Sequence, residues 1–191
     1  MVIREQAQLI SAAAFWELSH QPEYADKMLE LVEGVVVEMS RPGGEHGVLQ
    51  LRIGAVILSF VENHSLGHVT TESGYILFVD PITGKDTVRG PYVGFVRLER
   101  APDGLPAGYI PFPPDLAVEV VLPNDMVYDI DKKVADYRKA GVPLVWVIYP
   151  LSKRVIVHTL EGDTVVNSNG VLDGGDVLPG FTLPLTRIFP N

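Results

Sequence analysis

The chain has 191 residues, of which 47% are hydrophobic, and its formal net charge at pH 7 is −9. This length and composition are typical of one folded domain over residues 1–191 and argue against global disorder. The chain contains no cysteine, which excludes disulfides, thiolate metal sites and a cysteine nucleophile. The acidic balance opposes tight non-specific binding to nucleic acid, which needs a basic face, but it leaves room for a local basic cleft.

The expected location follows from what the sequence lacks. No stretch approaches the ~18 apolar residues of a membrane span. The first residues, MVIREQAQLI, have neither the apolar core nor the cleavage site of a signal peptide. A chain without cysteine also suits a reducing compartment. We therefore expect a cytoplasmic protein with no membrane contact.

The first third of the chain predicts a helix, a hairpin and a longer helix. Ser11 can cap a short helix, AAAFWELSH, and MLELVEGVVVEMS predicts a β-hairpin that turns at Glu33-Gly34. After the loop RPGG, residues 45–64 have helical length and no proline, and Gly67 is expected to end this helix. The predicted buried stripe consists of Val48, Leu51, Ala55, Leu58 and Glu62, widened by Ile53, Val56, Ile57 and Phe60.

The remainder predicts mainly strands. HVTTESGYILFVD and TVRGPYVGFVRLER are predicted as strands around the turn PITGKD, and residues 100–114 as a long loop rich in Pro and Gly. A strand from Leu116, a helix from about Val127 to Ala140 and the strand LVWVIYP form a β-α-β unit of a length that suits parallel strands. RVIVHTLEG begins a terminal meander. The expected fold class is α/β or α+β, with one mixed sheet and helices against it.

One carboxylate interrupts the apolar strand in PPDLAVEVVLPND. Alternation places Glu119 on one face of the strand with Ala117 and Val121. An unpaired charge buried there would cost several kcal/mol, so Glu119 is a candidate functional residue. Asp115 shares this face, but at ~13 Å it is too far away to share one metal ion directly. The alternative is a Glu at a strand edge, or one paired with an Arg or Lys.

Three further residues could carry chemistry. Lys133 follows the Glu119 strand on a helix and shares one helical face with Tyr137; the alternative is a surface pair with Asp129, worth only ~0.3–0.5 kcal/mol. Glu45 and His46 open the long helix. The alternatives are that the acid merely suits a first helical turn and that the His is a cap contact or exposed.

Other classes of site have little support in the sequence. His20, His64, His68 and His158 lack the spacing of metal ligands, so zinc is not expected. Glu72, in TTESGY, is a further candidate acid. The alternative is that it is simply an exposed residue of a strand. No GxSxG, P-loop or GxGxxG motif is present, so a serine hydrolase, an NTPase and a dinucleotide-binding fold have no positive support.

Taken together, these motifs resemble those of a known family. PPDLAVEVVLPND followed by YDIDKKVADYRKAGVPLVWVIYP closely resembles the signature of the Uma2 family, which is similar to the PD-(D/E)XK nucleases. LELVEGVVVEMS, an R-x-P before a strand and PGFTLPLTRIF also match, so the resemblance runs from about Ala13 to Phe189. It implies a restriction-endonuclease-like mixed sheet flanked by helices. It also implies a Mg²⁺-dependent endonuclease that hydrolyses phosphodiester bonds, with DNA as partner; a homodimer is a further expectation.

The resemblance also implies roles for individual residues. Glu119 is the strand carboxylate that binds the metal, and Lys133 is the lysine that orients or activates water, placed on the helix because residue 121 is Val. The carbonyl of Val120 is a further implied metal ligand, and Glu45 is the candidate acid from the helix. The other site candidates are Tyr92, His46 and Tyr137.

The chain departs from the family pattern in one strand. Relatives read R-x-P-D-V-x-F-V, whereas VRGPYVGFV places Tyr92 at the Asp position. A neutral phenol with a pKa near ~10 is a poor substitute for a carboxylate, so we predict weak or absent Mg²⁺ binding. Asp86 is a candidate replacement. The alternative functions are a catalytically silent nuclease-fold module for binding or interaction, and an enzyme of another class that uses the same cleft.

Overall fold

The structure, a computed structural model, describes residues 9–41, 43–121 and 126–189. The end of the Glu119 motif, residues 122–125, and Pro42 of the predicted RPGG loop lie outside the described residues. The helices are α1 (Ala12–Ser19), α2 (Gly44–His64) and α3 (Val127–Lys139). The strands are β1 (Met28–Val32), β2 (Val35–Met39), β3 (Gly67–Thr70), β4 (Tyr75–Phe78), β5 (Thr87–Arg89), β6 (Val93–Arg97), β7 (Leu116–Val120), β8 (Leu144–Tyr149), β9 (Arg154–Thr159), β10 (Asp163–Val166), β11 (Val171–Asp173) and β12 (Thr182–Pro184).

These strands form three sheets rather than the one expected. A six-stranded mixed sheet has the order β10-β9-β8-β7-β6-β3, with β7 and β8 parallel as predicted. A four-stranded sheet has the order β2-β1-β5-β4, and β11 pairs with β12. Each of the two long strands predicted before residue 100 is split between the first two sheets. The second one breaks at Gly90-Pro91, because proline has no N–H to continue a ladder.

The hairpin and the short first helix are confirmed. Glu33 and Gly34 both have positive φ, 50° and 79°, which is the turn geometry that matches the twist of a two-residue hairpin. Ser11 caps α1 by accepting a hydrogen bond from the Ala14 N–H at 3.2 Å. None of the described helices is long and apolar enough to cross a membrane.

Strand β7 lies inside the six-stranded sheet and is buried on both faces. Leu116, Val118 and Val120 pack into the apolar layer formed with α2 and Trp146. The opposite face packs with α3, where Ala117 lies in a second apolar cluster. The predicted alternation along β7 is therefore confirmed, and it directs Glu119 toward α3.

The buried stripe of α2 differs from the prediction. Val48, Leu51 and Leu58 are exposed to 49%, 73% and 41%. Apolar residues lie nearly all round this helix, so periodicity alone could not select the face that meets the sheet. The buried stripe has i, i+4 spacing and consists of Leu49, Ile53, Ile57 and Val61. Ile53 and Ile57 belong to the predicted set and are confirmed as buried.

The predicted end of α2 at His64 is confirmed, but Gly67 is not the residue that ends the helix. The C-cap is Ser65, in the left-handed conformation with φ 53°, whereas Gly67 begins β3. Gly67 is needed there for another reason: a Cβ at that position would lie 2.0 Å from the carbonyl oxygen of Val96 in the neighbouring strand.

Candidate active site

Glu119 is buried against two side chains of α3. Its side chain is only 1% exposed, and its Oε2 lies 3.3 Å from Nζ of Lys133. The Tyr137 hydroxyl donates to Glu119 Oε1 at 2.7 Å. Lys133 and Tyr137 are four residues apart, so α3 presents both side chains to the same strand. The structure thus excludes a strand-edge Glu119 and a surface Lys133, and it confirms the alternative in which Glu119 pairs with a lysine.

A second carboxylate that the sequence analysis missed meets the same lysine. Glu30 of β1 is buried, and its Oε1 lies 3.3 Å from Lys133 Nζ. The N–H of Gly90 donates to Oε1 at 3.1 Å, and Nη1 of Arg89 donates to Oε2 at 2.7 Å. A detectable signal was present, since Glu30 interrupts the apolar hairpin strand MLELV just as Glu119 interrupts its own strand.

Arg89 extends this arrangement to a third acid. Its Nε donates to Oδ2 of Asp136 at 3.0 Å, so the guanidinium joins β1 and β5 to α3. Arg89 is the arginine of the R-x-P motif before Tyr92. We refer to the following five residues as the buried charged cluster: Glu30, Arg89, Glu119, Lys133 and Asp136. The cluster contains three carboxyl groups and two permanent or near-permanent cations.

The two glutamates that share Lys133 have opposite pKa shifts. Burial raises the pKa of Glu119, and nearby Glu30 raises it further, against the opposing effects of Lys133 and Tyr137. Burial also acts to raise the pKa of Glu30, but the charges of Lys133 and Arg89 outweigh it and the pKa is lowered. Glu30 is therefore held as a carboxylate, whereas Glu119 binds a proton more readily than an ordinary glutamate.

Two cavities adjoin the buried charged cluster. The Glu119 cavity, of about 230 Å³, is lined by Glu119, Tyr92, Lys133 and Lys132 among others. The Glu30 cavity, of about 240 Å³, is lined by Glu30, Tyr92, Lys133 and Glu72 among others. Tyr92 and Lys133 line both cavities, and each space can hold several water molecules.

Tyr92 lies at the site, and its ring packs against His46. Its ring centroid lies 5.9 Å from Nζ of Lys133 and 4.3 Å from the centroid of the His46 ring, in an edge-to-face arrangement. His46 is buried, so the alternative that it is exposed is wrong. Tyr137 contacts Glu119 directly, and Val120 follows Glu119 in β7 with its side chain in the apolar layer on the opposite face.

Glu45 is not part of this arrangement. It is exposed and lines a separate cavity of about 310 Å³ with Arg52 and Lys153. Consecutive residues project about 100° apart around a helix, so Glu45 and His46 cannot both face Tyr92. The predicted grouping of Glu45 with Glu119 and Lys133 is therefore not observed.

Two other acids of the sequence analysis are also placed by the structure. Asp86 accepts hydrogen bonds from the N–H groups of Ala12 and Asp80, each at 2.8 Å, so it anchors α1 rather than replacing an acid beside Tyr92. Glu72 is exposed but lies between strands, with φ 52°. Its Oε1 accepts a hydrogen bond from Gln50 at 3.1 Å.

The architecture has a counterpart among the solved structures. It resembles the crystal structure of a protein from Anabaena variabilis ATCC 29413 described as a "putative nuclease belonging to DUF820", with a TM-score of 0.72 and 20% sequence identity. The match covers 84% of this chain and 89% of that chain; at this identity it shows the fold alone. No curated protein matches the chain.

The family follows from the sequence profile. Residues 15–186 match Uma2, described as "Putative restriction endonuclease". The chain belongs to the Uma2 family, which confirms the family and the fold class that its motifs predicted.

Proposed function

We propose that this protein is a hydrolase of the PD-(D/E)XK type that cleaves phosphodiester bonds in DNA with Glu30, Glu119 and Lys133. The observation that carries this proposal is the position of one ammonium group. Nζ of Lys133 lies 3.3 Å from carboxylate oxygens of both Glu30 and Glu119, which come from two different sheets. A lysine held in this way is pre-oriented toward the two cavities beside it, where a phosphate group and a water molecule can be placed.

Each residue has a distinct task in the proposed reaction. The oxygen of a water molecule bonds to phosphorus while the P–O bond to the leaving oxygen breaks, and that oxygen takes a proton from solvent water. Glu119, whose pKa is raised by burial, takes the proton that the attacking water loses. The Lys133 ammonium stabilises the negative charge that develops on the phosphoryl oxygens. Glu30, whose pKa is lowered, stays ionised and holds Lys133 in position.

The site offers a Mg²⁺ ion few unoccupied donors, because all four carboxylate oxygens of Glu30 and Glu119 already have hydrogen-bond or ion-pair partners. Among the described residues, no group of three or more His, Asp and Glu side chains is arranged to hold a metal ion. Mg²⁺ is nevertheless commonly held by one or two carboxylates together with substrate phosphates and waters. Glu119 and Glu30 would hold it with the Val120 carbonyl, and Glu30 replaces Glu45 as the second acid. When bound, the ion would supply Lewis-acid polarisation of the phosphoryl group.

The test is nicking of supercoiled plasmid with Mg²⁺ or Mn²⁺. We expect nicking by the wild type, and a loss of at least ~100-fold in Glu119→Gln and Lys133→Met, as removal of a general base or a charge stabiliser typically gives. Lys139→Met is the matched control, since it removes an exposed lysine from the same helix and should keep full activity. Calorimetric titration of Mg²⁺ into the wild type and Glu119→Ala gives a second readout. No nicking by the wild type with either ion would overturn the proposal.

A second candidate is a nuclease-fold module that binds partners without catalysis. Tyr92 favours it, because a neutral phenol lines both cavities at the position where relatives carry Asp. The net charge of −9 favours it as well, because binding to nucleic acid depends on cations that neutralise phosphates.

Tyr92→Asp separates the two candidates. This substitution adds a third carboxyl group beside Lys133 and the two cavities. If the variant shows metal-dependent nicking that the wild type lacks, the silent module is correct for the natural chain. If the wild type already nicks DNA and Glu119→Ala abolishes it, the proposed nuclease stands.

A further inference from the structure

The cavity that contains Glu45 differs in charge from the other cavities. It has a volume of about 310 Å³, and we name it the Arg52 cavity. One stripe of α2, with i, i+3, i+4 and i+7 spacing, forms one wall; the turn after β8 and the residues near the C-terminus form the rest. Its lining residues are Glu45, Val48, Leu49, Arg52, Pro150, Lys153, Ile188 and Phe189.

This cavity has more cations than acids. Arg52 and Lys153 face one carboxylate, Glu45, whereas the Glu119 and Glu30 cavities have equal numbers of acids and cations. The two remaining described cavities have an excess of acids. In a chain with a net charge of −9, a local positive excess marks the place where an anion meets the least repulsion.

The two cations are also available to a ligand. Arg52 and Lys153 are exposed, and neither forms an ion pair with a described residue. They differ in this from Arg97, Arg100 and Arg138, each of which lies beside an aspartate. The N–H of Lys153 donates to the carbonyl of Pro150 at 3.1 Å, which fixes the turn that carries the lysine opposite α2.

The floor of the cavity is apolar. Leu49, Ile188 and Phe189 are buried in the layer between α2 and the six-stranded sheet. A cavity with two cations at its rim and an apolar floor suits a ligand that combines a phosphate with an apolar face, as the sugar and base of a nucleotide do.

The Arg52 cavity lies close to the proposed active site. Glu119 is paired in register with Val147 of the parallel strand β8, and Pro150 follows Val147 by three residues. At ~3.3 Å per residue and ~4.8 Å between strands, the Cα atoms of Glu119 and Pro150 are about 11 Å apart. Both sites therefore lie at the carboxyl ends of β7 and β8, with the Arg52 cavity on the α2 face of the sheet and Glu119 on the α3 face.

We propose that the Arg52 cavity binds a backbone phosphate of the DNA strand that continues around this end of the sheet to Glu119 and Lys133. This inference rests on the proposed function, because it assigns a binding subsite to the same substrate. Arg52 and Lys153 contact the phosphate, the apolar floor contacts the adjoining sugar and base, and Glu45 weakens the interaction by repulsion. In this proposal Glu45 weakens phosphate binding, whereas the family resemblance implied that it is a metal ligand.

The test is fluorescence anisotropy with a labelled single-stranded DNA 12-mer, in the Glu119→Gln background and without divalent ions, so that no cleavage occurs. Charge reversal in Arg52→Glu/Lys153→Glu should weaken binding by at least about tenfold. It should also lower the slope of log affinity against log salt by about 1.4, or about 0.7 for each lost contact. Glu45→Gln should strengthen binding about threefold, the effect of one surface charge, which a folding defect cannot mimic.

The matched control is Lys85→Glu/Lys139→Glu. It makes the same change in net charge at another cavity, of about 290 Å³, where the two lysines face three acids, and it should bind like the parent. Equal weakening by the two double variants, no response to Glu45→Gln, or no measurable binding by the parent would overturn the inference.

The two proposals can fail separately. Normal plasmid nicking by the wild type, combined with unchanged DNA binding after charge reversal at Arg52 and Lys153, removes this inference alone. Absence of nicking, combined with the expected loss of binding, removes the proposed catalysis and keeps the phosphate site.

Discussion

The two faces of β7 are equally buried but chemically opposite. On the α2 side, Leu116, Val118 and Val120 lie in a continuous apolar layer. On the α3 side, Glu119 lies in the buried charged cluster with Lys133 and Glu30. The apolar face is stabilised by burial and packing, which need no particular protonation state. The charged face is tolerable only while its charges remain paired, because a buried ion left alone costs several kcal/mol.

The buried charges on the α3 side therefore need an explanation other than stability. Well-packed apolar residues often stabilise a protein as well as a buried ion pair does, or better. Stability alone therefore gives no reason for five buried ionisable side chains on one face of the sheet. Their position beside two cavities, in a chain of the Uma2 family, supports a chemical role.

The largest effect should come from removing a cation of the charged face. Arg89→Met leaves Glu30 and Asp136 buried without their shared partner, so the free energy of unfolding should fall by about 4 kcal/mol. Urea denaturation monitored by Trp fluorescence measures this loss. Arg100→Met, which removes a partly exposed partner of Asp115, is the control and should cost about 1 kcal/mol or less. A loss below about 1 kcal/mol for Arg89→Met would show that the cluster is not strongly coupled.

A truncation on the apolar face should lower the free energy of unfolding slightly less, and by an amount that does not depend on pH. Leu116 is fully buried, and Leu116→Ala should lower the free energy of unfolding by about 3 kcal/mol through lost burial and the cavity left behind. The loss should be the same at pH 5 and pH 8, measured by the same denaturation experiment. A marked pH dependence would contradict the separation of the two faces.

The two glutamates should have opposite pH signatures. The folded-state pKa of Glu119 is raised above 4.5, so its contribution to stability is lost as pH rises above 4.5 through the folded value. Glu119→Gln should therefore gain stability relative to the wild type over that window, by up to about 1.4 kcal/mol per pH unit. Urea denaturation from pH 4 to pH 8 measures the difference.

Glu30→Gln is the matched counterpart. The folded-state pKa of Glu30 is lowered below 4.5, so its contribution is present above pH 4.5 and lost as pH falls through the folded value. The advantage of the wild type over Glu30→Gln should shrink in that acid window. The same direction of pH dependence in both variants would show that Lys133 does not distinguish its two partners.

The smallest effect should come from the hydroxyl that donates to Glu119. Tyr137→Phe removes the 2.7 Å hydrogen bond to Oε1 and should cost about 1–2 kcal/mol, since it leaves a buried acceptor with one partner fewer. Thermal denaturation measures the cost, with Tyr149→Phe as a control at the rim of the sheet. Equal melting temperatures for the two variants would contradict a structural role for the Tyr137 hydroxyl.

Glu119 and Glu30 illustrate which site residues a sequence pattern can predict and which it cannot. Glu119 was found because one charge in a strongly apolar strand is anomalous. Lys133 was given its role only through the family resemblance, since its position alone favoured a surface pair with Asp129. Glu30 has the same signal in a weaker pattern, since MLELV alternates and one polar residue is ordinary in a half-buried strand. Glu45 was singled out by its place in the first turn of α2 and given a metal role through the resemblance, but in the structure it lines the Arg52 cavity.

The sequence by itself determined the family, the fold class, the parallel β7–β8 unit and the face of β7 that carries Glu119. These follow from local periodicity and from motifs that are continuous in the chain. Only the tertiary structure decided that β1 and β5 leave the main sheet, which face of α2 is buried, and that Glu30 and Glu119 share one lysine. These features depend on contacts between residues that are distant in the chain. The local sequence pattern is compatible with several strand pairings and with several buried helix faces, so it cannot select one of them.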